Sequence, residues 1–205
     1  MARIGILGGT FNPPHIGHVA CARAAAEQLA LDSVWLMPVA APPHKRADQD
    51  PGAEHRLALC RLAADEDGRL SASALEIERG GVSYTVDTLA ALRTDRLDDE
   101  FTFLAAGDVA MSLPEWREPA RVLELATFAV AEREDVGHEQ VVARLSVLPG
   151  ADRIVFFDMP RVDVSSSLVR ERVAAGESVD DLVPAGVARY IEQRRLYRRA
   201  AVAAP

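Results

Sequence analysis

The sequence has no long apolar run, few cysteines and no surplus of positive charge, and each absence excludes a class of protein. No apolar stretch approaches the roughly 20 residues that span a bilayer. The first nine residues lack the apolar core and cleavage site of a signal peptide. The only two cysteines, Cys21 and Cys60, show neither CxxC nor Cys/His metal spacing. We therefore expect a cytoplasmic protein with no membrane partner.

The charge balance excludes a general nucleic-acid-binding surface. Lysine and arginine number 23 against 31 acidic residues, a net charge of −8. An anionic ligand must then be held by a local cluster of groups. Apolar residues make up 49% of the 205 residues, as in folded globular domains. We expect a single domain over residues 1–197 and a frayed tail over residues 198–205, with a homo-oligomer left as an open alternative.

Short apolar runs alternate with amphipathic stretches along most of the chain. The pattern predicts strands over residues 3–8, 33–37, 70–77, 101–105, 128–131 and 154–157. It predicts helices over residues 17–31, 54–64, 84–92, 166–175 and 184–196. This alternation predicts an α/β fold with a doubly wound, mostly parallel, Rossmann-like sheet, helices on both faces and a helical C-terminal extension over about residues 165–197. Such sheets bind ligands outside the carboxyl ends of their strands.

The first predicted strand–helix connection reads GGTFNPPHIGH over residues 8–18. It matches neither GxGxxG nor the Gly-Lys-Ser/Thr ending of a Walker loop. Gly8 and Gly9 allow close approach of backbone to a ligand, while His15 and His18 lie on one side of a helical first turn. Imidazoles beside the positive end of a helix suit phosphate oxygens. The alternatives are a surface turn with two solvated histidines and a capping device for the helix. Because the histidines stand between a Gly-Gly strand end and the first helix, we predict a phosphate site.

A serine run over residues 164–170, VSSSLVR, precedes another predicted helix. Serine hydroxyls and the guanidinium of Arg170, four residues past Ser166, could bind phosphate. A serine-rich helix start is more commonly only an N-cap. We favour the phosphate interpretation because this run accompanies the histidine pair.

These motifs resemble those of a known superfamily. HIGH at residues 15–18 and the serine run resemble the T/HxGH and ISSTxxR motifs of the nucleotidyltransferase α/β-phosphodiesterases. Four further segments resemble the bacterial nicotinate-nucleotide adenylyltransferases: PPHK over residues 42–45, LEIERGGVSYTVDTL over residues 75–89, LPEW over residues 113–116 and LVP over residues 182–184. In the second of these, the family pattern is E-x-x-R-G-G-x-S-Y-T-x-D-T-L. The likeness covers about residues 3–197. One departure is the order Ala106-Gly107-Asp108, where that family has Gly-Ala-Asp.

This resemblance implies adenylyl transfer from ATP to nicotinic acid mononucleotide, which gives nicotinic acid adenine dinucleotide and pyrophosphate in NAD biosynthesis. The implied catalytic residues are His15, His18 and Arg170. The implied ATP-binding residues are Gly8, Gly9, Thr10, Phe11, Lys45, Ser166 and Ser167. The implied mononucleotide-binding residues are Tyr84, Thr85, Gly107, Asp108 and Trp116. Mg²⁺ is expected on the ATP phosphates, with no metal-binding residue in the protein.

Four other functions fit part of these motifs. A phosphopantetheine adenylyltransferase or a cytidylyltransferase shares the HxGH motif but does not account for SYTxDTL or Trp116. An aminoacyl-tRNA synthetase is disfavoured because the chain lacks a KMSKS-like loop and carries a negative net charge. A nucleotide-sensing module without turnover is disfavoured because His15, His18 and Arg170 are all present.

Overall fold

Six parallel strands form a single sheet within residues 1–41, 49–132 and 137–198, which are the residues that the computed structural model describes. The strands are β1 (Arg3–Gly9), β2 (Ser33–Pro38), β3 (Leu70–Ala72), β4 (Glu100–Ala106), β5 (Thr127–Glu132) and β6 (Ile154–Asp158). Their order across the sheet is β3-β2-β1-β4-β5-β6. The predicted doubly wound α/β fold is confirmed.

Helices connect the strands and extend the chain beyond the last one. They are α1 (Ile16–Gln28), α2 (Ala53–Ala64), α3 (Leu75–Arg79), α4 (Thr85–Asp95), α5 (Gly107–Met111), α6 (Pro119–Leu125), α7 (His138–Leu145), α8 (Ser166–Ala175) and α9 (Ala185–Gln193). Gly176 ends α8 in the left-handed conformation, at φ +76°, which is typical of a glycine at the end of a helix. No helix within the three described ranges is long and apolar enough to cross a membrane.

Apolar side chains cover both faces of the sheet. Ile4 and Ile6 of β1 belong to one core, which α4 and α6 complete. Val34 and Leu36 of β2 belong to the other core, together with side chains of α1, α2, α8 and α9. The C-terminal helices therefore pack into the same core as α1, so they are fixed relative to the start of that helix.

The predicted strand over residues 70–77 is wrong beyond Ala72. Its alternating pattern favours a strand, but α3 begins at Leu75. Tertiary contact decides the conformation, because Glu76 is turned inward, where it is 6% exposed and accepts a hydrogen bond from the Thr88 hydroxyl at 2.6 Å. Gly80 and Gly81 follow this helix, and both have positive φ.

The direction of winding reverses between β1 and β4. The chain passes from β1 to β2 and β3 on one side, and the remaining strands follow β4 on the other. Loops that leave the carboxyl ends of β1 and β4 therefore diverge and leave a crevice, which is where open α/β sheets bind their ligands.

Candidate active site

A cavity of about 730 Å³ opens at this crevice. Its first wall follows β1 and includes Gly8, Gly9, Thr10 and His18. Its second wall contains the start of α4 and the segment before α6, with Tyr84, Thr85, Trp116 and Arg117. The volume lies in the usual range for small-molecule sites, and the two walls combine motifs that the sequence keeps far apart.

The two histidines lie against each other at the start of α1. Their ring centroids are 3.7 Å apart, and His15 is the N-cap residue while His18 is in the first turn. The His15 backbone N–H donates to Nδ1 of His18 at 3.1 Å. An Nδ1 that accepts a hydrogen bond carries no proton, so in the neutral ring the proton is on Nε2. His18 can therefore donate from Nε2 to an anion in the cavity.

The loop between β1 and α1 is held by groups distant in sequence. Arg170 donates from Nη1 to the Asn12 carbonyl at 2.8 Å, and the Ser166 hydroxyl donates to the Pro13 carbonyl at 2.8 Å. The Ile16 N–H donates to the Leu182 carbonyl at 3.0 Å. These three bonds join the β1–α1 loop to α8 and to the segment between α8 and α9. They therefore fix the position of the chain that leads into the histidine pair.

The three serines at residues 165–167 have different hydrogen-bond partners. Ser165 is the N-cap of α8, and its hydroxyl accepts from the Leu168 N–H at 3.1 Å. Ser167 accepts from Nη2 of Arg170 at 3.2 Å. The capping role that sequence alone allowed for the whole run thus belongs to Ser165, while Ser166, Ser167 and Arg170 contact one another or the β1–α1 loop.

The second wall presents a helix start and an indole. Tyr84 is the N-cap of α4 and Thr85 its first residue, with no side chain capping the backbone N–H groups there. Trp116 donates from Nε1 to the Ser112 hydroxyl at 2.9 Å and meets the Phe103 ring edge-on at 5.7 Å between centroids. The Arg117 guanidinium lies 5.1 Å from the centre of the Tyr84 ring. Free N–H groups, a cation and an aromatic surface suit an anionic aromatic ligand.

Seven predicted residues within the described ranges do not line the cavity: Phe11, His15, Gly107, Asp108, Ser166, Ser167 and Arg170. Lys45 lies outside the described residues. Gly107 and Asp108 begin α5 directly after β4, where Gly107 is buried and Asp108 is exposed. They follow Ala106, which does line the cavity. Within the described ranges no group of three His, Cys, Asp or Glu side chains could hold a metal ion.

The comparisons with known proteins decide the family. A cytidylyltransferase-like family model matches residues 6–172. A probable nicotinate-nucleotide adenylyltransferase of Geobacillus thermodenitrificans is 38% identical over 197 residues, which are 96% of this chain and 87% of that protein. One of Synechococcus is 38% identical over 195 residues, 95% of this chain and 94% of its own. The chain belongs to the nicotinate-nucleotide adenylyltransferases.

A solved nicotinic acid mononucleotide adenylyltransferase has the same fold. The Plasmodium falciparum protein, in a structure named as a complex with NaAD, aligns with a TM-score of 0.78 over 96% of this chain and 98% of its own, at 17% identity. At 17% identity, this likeness shows that the two proteins share a fold. The roles of individual residues rest on the geometry of this chain.

Two buried charged residues beside the cavity were missed by the sequence analysis. Arg56 on α2 is 1% exposed, and Glu76 on α3 lines the cavity. Burial raises the pKa of Glu76, although the Thr88 and Ser83 hydroxyls and Arg79 oppose that shift. Arginine in an amphipathic helix is usually exposed, so the sequence carries no signal for the inward orientation of Arg56. Glu76 is the first residue of the E-x-x-R-G-G pattern, but that pattern does not predict its burial.

Proposed function

We propose that this cavity transfers the adenylyl group of ATP to nicotinic acid mononucleotide, giving nicotinic acid adenine dinucleotide and pyrophosphate. The observation that carries the proposal is the His15–His18 pair at the start of α1, with His18 in the cavity wall beside Gly8, Gly9 and Thr10. The similarity to the nicotinate-nucleotide adenylyltransferases supports it along nearly the whole chain.

The reaction needs positioning and charge stabilisation more than proton transfer. The 5′-phosphate of the mononucleotide is largely ionised at neutral pH, because the second pKa of a phosphate monoester is about 6. One of its oxygens attacks the α-phosphorus of ATP in line, the bond from that phosphorus to the bridging oxygen breaks, and pyrophosphate leaves with the electron pair. His15 and His18 stabilise the charge that develops on the α- and β-phosphates.

The triphosphate binds along the β1–α1 loop and the start of α8. Gly8, Gly9, Thr10 and Phe11 supply close backbone contact, and Ser166 and Ser167 supply hydroxyls. Lys45 and Arg170 supply positive charge. Arg170 already holds the Asn12 carbonyl with one nitrogen, so it also fixes the loop that carries the histidines. Phosphate oxygens of ATP, rather than protein side chains, would hold Mg²⁺, which would supply neutralisation of the charge on the leaving pyrophosphate.

The mononucleotide binds against the second wall. Its pyridine carboxylate accepts from the backbone N–H groups at Tyr84 and Thr85, which favour an acid over an amide because they are donors only. The pyridine ring lies on Trp116. We assign Gly107 and Asp108 to the sugar-phosphate part, because they begin α5 directly after Ala106, which lines the cavity. Both cysteines are buried thiols, which supports the cytoplasmic location expected from the sequence.

Pyrophosphate release by the purified chain tests this function. ATP with nicotinic acid mononucleotide should support rapid release, whereas nicotinamide mononucleotide should be used poorly. Phosphopantetheine in place of the mononucleotide, and CTP in place of ATP, serve as controls for the two related transferase activities. Faster release with either control than with the nicotinate pair would contradict the proposal.

A further inference from the structure

Arg56 is a charged side chain enclosed behind the cavity wall. Its guanidinium has four acceptors. Nε donates to Oδ1 of Asp50 at 3.1 Å, Nη1 to the carbonyls of Thr10 at 3.1 Å and Val39 at 2.7 Å, and Nη2 to the Ala40 carbonyl at 3.1 Å. A buried cation is costly unless its N–H groups are satisfied in this way. Three of the acceptors are backbone groups from the two loops that leave β1 and β2.

Residues 39–41, here called the bridging segment, connect the two walls of the cavity. On one side, the Val39 N–H donates to the Gly9 carbonyl at 3.0 Å, next to Thr10. On the other side, the Ala40 N–H donates to the Ser83 hydroxyl at 3.0 Å. The Ser83 N–H in turn donates to the Ala41 carbonyl at 3.0 Å. Arg56 therefore holds both the loop of the first wall and the segment that is bonded to the start of α4.

We propose that Arg56 is a positioning residue, which sets the spacing between the triphosphate loop at Thr10 and the mononucleotide wall at Ser83 through the bridging segment. This role rests on the proposed function, because in-line attack requires the two substrates at one distance. A displacement of about 1 Å can cost about 100-fold in rate. The planar guanidinium reaches acceptors on three sides at once, and the single ammonium of a lysine cannot.

Arg93 on α4 provides a matched control. Its Nε donates to the Leu125 carbonyl at 2.8 Å and its Nη1 to the Asp99 carbonyl at 2.9 Å. It too joins two backbone segments, but these precede β5 and β4. They therefore lie at the amino ends of the strands, whereas the cavity is at the carboxyl ends. Loss of either arginine should lower thermal stability, whereas only loss of Arg56 should disturb the cavity.

Steady-state kinetics of Arg56→Lys and Arg93→Lys separate a positioning role from a structural one. We expect kcat to fall by about 100-fold in Arg56→Lys, with little change in either KM, and to stay near wild type in Arg93→Lys. If Arg56→Lys does not fold, Asp50→Asn replaces it, since it keeps an acceptor for Nε and removes the charge that orients the guanidinium. Equal kcat values in the Asp50 or Arg56 variant and in Arg93→Lys would overturn the proposal.

Amide hydrogen exchange gives a readout that does not depend on turnover. Exchange of the Val39 and Ala40 amides should accelerate in Arg56→Lys, or in Asp50→Asn, and remain as in wild type in Arg93→Lys. Unchanged exchange at these amides would also overturn the proposal. Absence of pyrophosphate release by the wild-type chain would instead count against the proposed function and leave this exchange result decisive for Arg56.

Discussion

The indole Nε1–H of Trp116 donates a hydrogen bond to the Ser112 hydroxyl at 2.9 Å, within the segment that precedes α6. The same ring meets Phe103 and Phe128 edge-on, so its orientation is fixed on both its polar and its apolar sides. A ring held in this way loses little side-chain entropy when a ligand stacks on it. It is therefore suited to bind a flat pyridine ring.

Trp116→Ala should raise KM for nicotinic acid mononucleotide and leave KM for ATP nearly unchanged. Stacking on a base is worth about 1–3 kcal/mol, which predicts a rise of about 5- to 150-fold. The matched control is Trp35→Ala, because Trp35 of β2 does not line the cavity and packs against Arg96 instead. Initial rates measured against both substrates check the prediction, and an equal rise in both KM values would contradict it.

His18→Ala should lower kcat by about 100- to 1000-fold with little effect on KM for ATP, since a positioned donor acts mainly on the transition state. His18→Gln should retain more activity than His18→Asn, because only the glutamine amide nitrogen reaches the position of Nε2. His55, which is bonded to Tyr190 instead, offers the control His55→Ala. Weakened ATP binding at wild-type kcat would overturn the role assigned to His18.

Arg170→Lys should be nearly as inactive as Arg170→Ala in kcat/KM for ATP. The guanidinium binds the Asn12 carbonyl and the Ser167 hydroxyl through two different nitrogens, and lysine has no such fork. Arg172→Lys is the control on the same helix, because Arg172 pairs with Asp181. A fully active Arg170→Lys would show that only charge matters at this position.

The preference for nicotinic acid mononucleotide over its amide tests whether the backbone N–H groups at Tyr84 and Thr85 bind the pyridine carboxylate. A site that leaves polar groups unpaired with the wrong analogue can discriminate by about 10⁴-fold. We expect a strong preference in kcat/KM for nicotinic acid mononucleotide over nicotinamide mononucleotide. Similar values for the two would exclude recognition by the backbone N–H groups at Tyr84 and Thr85, even if adenylyl transfer itself is observed.

Glu76→Gln should stabilise the protein increasingly as pH rises. Burial raises the pKa of Glu76, so the folded protein retains a proton that the unfolded chain has lost. The contribution of Glu76 to the free energy of unfolding therefore falls as pH rises from the ordinary carboxyl range, near pH 4.5, through the folded pKa, and is then level. Glutamine stays neutral and keeps an oxygen for the Thr88 hydroxyl.

Urea unfolding of Glu76→Gln between about pH 4 and pH 8 measures this difference. The control is Glu78→Gln, two residues along the same short helix, where the side chain is exposed. A stability difference that does not vary with pH would mean that the pKa of Glu76 is the same in the folded and the unfolded protein.

The sequence predicted the features that local patterns determine. The buried strands, α1 and the α8 boundary follow from periodicity and capping, and the histidine pair follows from one short motif between a strand and a helix. The strand predicted beyond Ala72 was wrong because the contact from Thr88 to Glu76, twelve residues apart, outweighs the alternating pattern. Arg56 could not be found in advance, since its acceptors are carbonyls that only the folded chain brings together.

The hydrogen bonds between the C-terminal part of the chain and the β1–α1 loop have a consequence for synthesis of the protein on the ribosome. The GGTFNPPHIGH segment is among the first to leave the ribosome, but the partners that fix it, Ser166, Arg170 and Leu182, are translated after every strand of the sheet. A nascent chain can thus pair all its strands before it can bind ATP productively. Products of premature termination before residue 165 would fold in part and remain catalytically silent, so they could not consume ATP.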